Sequence, residues 1–248
     1  MANDFCWFEL VTTDTKAAGD FYTKVIGWGT EMSSGPAGPY TIFKAGEIHV
    51  GGMLEMQGVP PGWLGYVAVD DVDAFVGKVQ AAGGEVHEAA QDIPNVGRFA
   101  VVADPQGAMF VLFNDTSADP PPRPEPMAPG SLGWSELNTT DWEKAFPFYA
   151  DLFGWVKHDA VPIGEMGVYQ TFGAPEQAFG GMMSGHAPAP GPYWAYYFCV
   201  DDIEAAVERA KDNGGEILMG PMEVPGGAFV VNAKDPQGAS FAFLGMRA

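Results

Sequence analysis

Apolar and polar residues alternate along the chain with two periods, and the switches between them mark out the elements. Residues 5–12, Phe-Cys-Trp-Phe-Glu-Leu-Val-Thr, are rich in β-formers and lead to Asp14, a residue type that caps helices. From there Ala17, Ala18, Phe21, Tyr22, Val25 and Ile26 recur at i, i+3 and i+4 spacing, which predicts an amphipathic helix ending at Gly27. Strands are expected over 40–45, 48–53 and 63–69, the first two joined by a hairpin turn at Gly46-Glu47, the last two by a rigid loop over 57–62. Asp71 caps a second helix, with Val72, Phe75, Val76 and Val79 as its apolar positions, and Gly83-Gly84 closes it. Strands over 85–88, 98–103 and 108–113 follow, so this half of the chain reads βαβββ and then αβββ.

The same plan returns: a strand over 132–139, cap Asp141, a helix to Phe153 and stop Gly154, then strands near 166–173, 178–183 and 193–200, a helix over 203–213 and strands of which the last covers 240–244. Pro147, well inside the third helix, removes a backbone hydrogen bond and should bend that helix or shift its start. Asp104-Pro105-Gln106-Gly107-Ala108 recurs as Asp235-Pro236-Gln237-Gly238-Ala239. Each copy lies between two apolar runs and reads as a tight turn, in which Pro fixes φ and Gly permits a positive φ.

Thr13-Asp14, Phe21-Tyr22 and Gly27-Trp28 match Thr140-Asp141, Phe148-Tyr149 and Gly154-Trp155, all 127 residues on. Gly51-Gly52-Met53 matches Gly180-Gly181-Met182 at 129, while Val69-Asp70-Asp71, Gly83-Gly84 and the turn itself recur at 131. An offset that grows only in the loops indicates duplication of one folded module. The expected division is a module over 1–114, a Pro-rich, polyproline-like tether over 115–131 and a module over 132–248.

Composition narrows the classes of partner. The chain has 248 residues, 47% of them apolar, which is enough for two packed modules of roughly 110 residues each. A net charge of −20 with only 12 Lys and Arg argues against nucleic acid and against anionic membranes. No apolar run reaches the length of about 20 residues that spans a bilayer, and Met1-Ala2-Asn3-Asp4 lacks the basic start of a secretory signal. Cys6 and Cys199 fall in different modules and make no disulfide framework, so a cytoplasmic protein with reduced thiols is expected.

Thr-Thr-Asp before a helix, Phe-Tyr in its middle, Gly-Trp at its end, Val-Asp-Asp before the next helix and Asp-Pro-Gln-Gly-Ala before the last strand together resemble the vicinal oxygen chelate superfamily. It includes glyoxalase I, bleomycin resistance proteins, fosfomycin resistance enzymes and extradiol dioxygenases. The resemblance covers both modules and implies an α+β fold, with tandem glyoxalase-like modules built from βαβββ units and curved mixed sheets enclosing a cavity. It also implies a divalent metal held by His, Gln or Glu from three strands, acting as a Lewis acid. At the matching positions this chain has Trp7 and Trp134 in the first strands, Leu64 and Ala195 before the second helices, and Val111 and Ala242 in the last strands. None of these six side chains ligates a metal, so no metal and no cofactor are expected.

Strand alternation says what the concave faces would offer instead. If Trp7 points inward, so do Glu9 and Val11, and in the second module Trp134, Glu136 and Asn138; the last strands add Met109, Val111, Phe113, Ser240, Ala242 and Leu244. Tyr66 and Tyr197 share this parity, and Trp63, Trp194, Tyr40 and Tyr169 are wall or rim candidates. The result is an apolar, aromatic bowl with one carboxylate per module. Desolvation in such a bowl would raise the pKa of Glu9 and Glu136 toward values useful for proton transfer, whereas in the plainer alternative each only accepts hydrogen bonds. Of the histidines, His49 alone lies where it could border the cavity; His87 and His158 sit near strand starts, and His186 lies in a Pro/Gly loop. Cys199 has no basic neighbour in view and reads as a packed thiol.

Three functions fit these residues. The first is a metal-free binding protein for a small aromatic or cationic molecule, because aromatic faces and carboxylates both favour cations. The second is a metal-independent isomerase, cyclase or lyase in small-molecule metabolism with Glu9 or Glu136 as acid or base; the third is an interaction protein with a vestigial cavity. Metal-dependent lyase or dioxygenase chemistry is disfavoured by the six positions above. Two modules in one chain replace the pairing of single-module chains, so a monomer is expected, with a homodimer as the alternative.

Overall fold

The structure, a computed structural model, describes residues 3–35, 38–117, 122–185 and 191–248. The first repeat runs β1 (Phe5–Thr12), α1 (Thr15–Val25), β2 (Gly29–Gly35), β3 (Gly38–Ala45), β4 (Ile48–Glu55), then β5 (Gly62–Ala68), α2 (Val72–Ala81), β6 (Glu85–Ile93), β7 (Gly97–Ala103) and β8 (Met109–Asp115). The second runs β9 (Leu132–Thr139), α3 (Trp142–Phe153), β10 (Val156–Pro162), β11 (Val168–Ala174), β12 (Gln177–Ser184), then β13 (Tyr193–Cys199), α4 (Ile203–Asp212), β14 (Glu216–Glu223), β15 (Phe229–Lys234) and β16 (Ser240–Gly245). The fold is α+β, with β1 to β8 in one eight-stranded mixed sheet and β9 to β16 in another among the described residues.

Three of the four α-helices among the described residues start where an Asp was expected to cap them, and the fourth is capped in the same way by Asp202. Asp14, Asp71, Asp141 and Asp202 accept the backbone N–H of Ala17, Ala74, Lys144 and Ala205 at 2.7–3.1 Å. Pro147 does not shift the start of α3, which begins at Trp142 directly after its cap. Gly46, at φ +61°, makes the tight turn between β3 and β4.

Strands β2 and β10, like β14 and β15, are not delimited by the sequence pattern. β2 and β10 lie at the ends of their strand orders, paired on one side only. Residues 29–32 and 34 of β2 are exposed, so nothing in it alternates. With β2 and β10 in place, each repeat is two complete βαβββ halves, and β5, read above as the last strand of the first half, opens the second. Of the expected tether, residues 118–121 lie outside the described residues, and residues 125–131 form two successive turns rather than an extended run (Ala128 N–H to Glu125 O, 3.2 Å; Ser131 N–H to Ala128 O, 2.9 Å).

The chain divides into two compact units, and each unit takes one βαβββ half from each repeat. The first comprises residues 3–7, 64–117, 134–185 and 191–194; the second comprises 8–35, 38–63, 122–133 and 195–248. In the second unit α1 packs on α4, and Tyr22, Trp28, Phe43, Trp63 and Phe198 form one buried aromatic cluster with ring centroids 4.7–5.9 Å apart. In the first unit α2 packs on α3, around Tyr149, Phe153, Trp155, Phe172 and Trp194. Aromatic pairs at these distances add to the stabilisation from their buried area.

The repeat motifs are the ties inside these units. Trp28 donates its indole N–H to Gly130 O at 2.8 Å, and Trp155 donates to Asn3 O at 2.6 Å. Each Gly-Trp tryptophan therefore holds the backbone just ahead of the other repeat's first strand. Asp104 uses Oδ1 to accept the N–H groups of Gln106 and Ala108, and Asp235 does the same with Gln237 and Ala239, all at 2.8–3.0 Å. Gly107 and Gly238, at φ +101° and +96°, let the chain turn there.

Candidate functional site

In the second unit, β1 and β4 pair in parallel with Glu9 opposite Gly52, and Ile42 of β3 lies opposite Gly52 on its other side. A Cβ on Gly52 would lie 2.0 Å from the Tyr40 hydroxyl oxygen and 2.2 Å from Cζ. The missing side chain is what lets the Tyr40 ring lie across β4. The phenol then donates to Glu9 Oε2 at 2.9 Å, and Glu9 is only 8% exposed. A carboxylate this buried needs such a donor.

His49 reaches the same face through a bulge. The register steps from Phe43 opposite Gly51 to Lys44 opposite His49, which leaves Val50 over and turns His49 to the Gly52 side. It stands at the outer part of that face, half-exposed, with Nε2 3.9 Å from Glu31. Also in the second unit, Tyr197 lies opposite Ala242, which lies opposite Asn232. Asn232 donates Nδ2–H to the Tyr197 hydroxyl at 3.3 Å over that alanine. Ser240 is half-buried and Leu244 buried on the same strand.

In the first unit, β9 presents Trp134, Glu136 and Asn138 at two-residue steps, with Glu136 opposite Gly181 of β12. The Gly52 geometry recurs there. A Cβ on Gly181 would lie 2.2 Å from the Tyr169 ring, so Tyr169 crosses at that glycine. Its hydroxyl, however, accepts the Trp134 indole N–H at 2.7 Å, and Glu136 accepts from Asn138 Nδ2 at 2.9 Å. Burial, and then the charge of Glu136, push the Tyr193 phenol up to about 12. The other face of this unit is apolar: Tyr66 lies opposite Val111, both buried, and meets Phe113 edge-on at 5.7 Å, while Met109 is 37% exposed. Trp7 and Leu64 are half-buried.

Several expected residues play other parts. Trp63 and Trp194, read as wall or rim, are core residues: 8% and 5% exposed, they donate to the hydroxyls of Tyr22 and Tyr149 at 3.0 and 3.2 Å. They pack with the helix side, at the opposite parity to Tyr66 and Tyr197. His158 is spent on Ala174 O at 2.9 Å, His87 is exposed, and His186 lies outside the described residues. Cys199 is 2% exposed and burial pushes its thiol up, as suits a packed thiol. Asn232 and Tyr193 were missed. Tyr193 shares the parity of Ala195 and Tyr197, which was the available signal, whereas Asn232 lies on a strand the pattern did not delimit.

A divalent metal of the kind the resemblance implies does not fit this donor set. Trp7, Trp134, Leu64, Ala195, Val111 and Ala242 supply no ligand, and among the described residues no group of three or more His, Cys, Asp or Glu could hold an ion. What the faces offer is aromatic surface, phenol and amide hydrogen bonds, and one carboxylate per repeat.

The chain matches the family model described as Glyoxalase/Bleomycin resistance protein/Dioxygenase superfamily over residues 5–112 and 131–243. It is 35% identical to the Mycobacterium tuberculosis protein named "Putative glyoxylase CFP32", over 96% of this chain and 93% of that one. It is 33% identical to the anthracycline biosynthesis protein DnrV of Streptomyces peucetius, over 97% and 92%. Among solved structures, the 2,2',3-trihydroxybiphenyl 1,2-dioxygenase of Sphingomonas wittichii superposes with a TM-score of 0.71 at 14% identity, covering 99% of this chain and 91% of that one. The Mn(II)-bound glyoxalase of Novosphingobium aromaticivorans gives 0.70 at 17%, covering 100% and 83%. Among the described residues no helix is long and apolar enough to cross a membrane.

Proposed function

The chain belongs to the glyoxalase/bleomycin resistance protein/dioxygenase superfamily, and on that footing we propose that it binds a small aromatic or cationic molecule on its polar aromatic faces without the superfamily's metal. The observation that carries this reading is the crossing of Tyr40 at Gly52 and of Tyr169 at Gly181, each glycine opposite a carboxylate. Such a surface receives a flat ring by stacking and orients it with a few polar groups. The likeness to an anthracycline biosynthesis protein over nearly the whole chain favours a polycyclic aromatic ligand.

The test is native mass spectrometry of the purified protein beside its denatured mass, followed by titration with a panel of polycyclic aromatics. An organic adduct, or saturable binding that weakens on Tyr40→Ala or Tyr169→Ala, supports the reading. A stoichiometric divalent metal, or no binding across the panel, overturns it.

The buried Glu9–Tyr40 pair favours a second reading, a metal-independent isomerase, cyclase or lyase that moves a proton through Glu9, with Glu136 as its counterpart. Glu9→Gln then abolishes turnover while binding persists. We further propose a cytoplasmic monomer that binds neither nucleic acid nor membrane, in keeping with the net charge of −20; sedimentation at the mass of a homodimer would overturn the monomer.

A further inference from the structure

Resting on the binding reading above, we propose that the sheet face formed by β7 and β8 in the first unit seats the ligand, and that the part seated there is a flat, uncharged aromatic ring system. α2 packs on the other face of these strands, where Ala100, Val102, Phe110 and Leu112 are fully buried. The alternate residues carry the face in question, with Met109 beside Ala103, Val111 beside Val101 and Phe113 beside Phe99. Met109 is exposed, and Val101, Phe113 and Phe99 are half-buried. The sheet is therefore apolar on both sides and open to water on one, and a contiguous apolar patch left to water marks a binding surface.

The duplicate shows that the fold does not require this. The second unit has the same register, with Ser240 beside Lys234, Ala242 beside Asn232 and Leu244 beside Val230. Ser240, Lys234 and Asn232 thus stand where the first unit has Met109, Ala103 and Val101, 131 residues earlier. Polar side chains meet the first unit's face only along the edge strand β6, where the exposed Glu88 and Gln91 lie opposite Val101 and Phe99. A charged group seated over these rows would lose its water and gain no partner, whereas an uncharged ring loses nothing. Phe113 is held ready to receive it: the ring meets Tyr66 edge-on at 5.7 Å and lies over Gly97, where a Cβ would come within 2.7 Å of it. A ring fixed in advance stacks without being ordered by the ligand. A second copy of the chain is the poorer occupant, because each copy carries the same net charge of −20 and the two repel.

Fluorescence titration of the whole chain with 9-anthracenemethanol, 9-anthracenemethylamine and 9-anthracenecarboxylate tests this, since the three probes share one ring system and differ in charge. The net charge of −20 by itself favours the amine. Binding of the alcohol about tenfold or more tighter than the amine therefore identifies an uncharged seat, and this comparison needs no variant to fold. Val101→Asn, which installs the second unit's residue, weakens the alcohol by about tenfold or more, while Val101→Leu keeps it. Phe99→Leu, which stays apolar but removes a ring, weakens it as well. Amine binding equal to or tighter than the alcohol overturns the uncharged ring, and alcohol binding that survives both Val101→Asn and Phe99→Leu overturns the assignment to this face; the small-molecule reading stands in either case. A homodimer that dissociates on Val101→Asn makes a second copy the occupant and overturns the ligand. Binding of none of the three probes overturns this inference, and the polycyclic panel then decides the broader one.

Discussion

Tyr22 donates its hydroxyl hydrogen to Asp235 Oδ2 at 3.1 Å, across 213 residues of sequence. The Tyr22 hydroxyl oxygen in turn accepts the Trp63 indole N–H at 3.0 Å. The mirror relation holds in the first unit, where Tyr149 donates to Asp104 at 2.9 Å and accepts from Trp194 at 3.2 Å. Both turn aspartates are thus engaged on both oxygens, and the motif most visible in the sequence specifies packing rather than chemistry.

Tyr22→Phe removes the link and leaves the Trp63 N–H and one Asp235 oxygen buried without their partner. The expected loss is about 1–3 kcal/mol in urea unfolding, with the m-value unchanged. A loss below about 0.5 kcal/mol would mean that the network re-pairs and that the relation is incidental.

Burial holds the Asp235 carboxyl above its ordinary value, against the opposing pull of the Ala239 N–H and the Tyr22 hydroxyl. A raised folded pKa means that the folded state keeps the proton longer than the unfolded chain does. The contribution of this group is therefore fully present below the unfolded value of 3.8 and is lost as pH rises through the folded value. Wild type compared with Asp235→Asn by thermal unfolding should show its relative stability falling over that interval. The exposed Asp73 and Asp201, held low by Arg98 and Arg209, work in the opposite sense, losing their contribution as pH falls below the ordinary carboxylate value.

Gly52→Ala drives a methyl group into the Tyr40 ring, at a cost of about 1–3 kcal/mol. Combining it with Tyr40→Ala should recover most of that cost, because the colliding ring is gone. A double-mutant cycle by denaturant unfolding reads the coupling, and simple additivity would refute the crossing geometry.

The two turn glutamines should differ despite identical motifs. Gln106 accepts the Asp141 N–H at 2.8 Å and the Thr140 hydroxyl, and donates to Asp141 O at 2.7 Å. Gln237 Oε1 is buried without a partner. Gln106→Ala is expected to cost about 1–2 kcal/mol and Gln237→Ala less than about 0.5 kcal/mol. Equal losses in thermal or urea unfolding would sink the distinction.

Where one face of an element is buried, the sequence carried its position, so the four helices, three of their Asp caps and strands such as β1 and β9 were legible. β2 was not, because a strand paired on one side and largely exposed to water need not alternate, and in β10 the alternation is broken where its register shifts between Lys157 and Ala160. The carboxylates were legible from strand parity alone, and so were Tyr40 and Tyr169 as candidates. What those tyrosines do was not, since it depends on which strand lies opposite and on a glycine that is silent until its neighbour is known. Trp63 and Trp194 misled because a large aromatic suits a binding wall and a core equally well, and only the partner hydroxyl distinguishes the two.

The exchange of halves between repeats also has a consequence during synthesis. When the ribosome has finished the first repeat, Tyr22, Trp28 and Trp63 are made, but Gly130, Phe198 and Asp235, against which they close, are not. The nascent amino-terminal half therefore carries an open aromatic surface until Asp235 emerges. Native burial becomes a late, high-contact-order event, and the interval before it is when the chain most needs a chaperone.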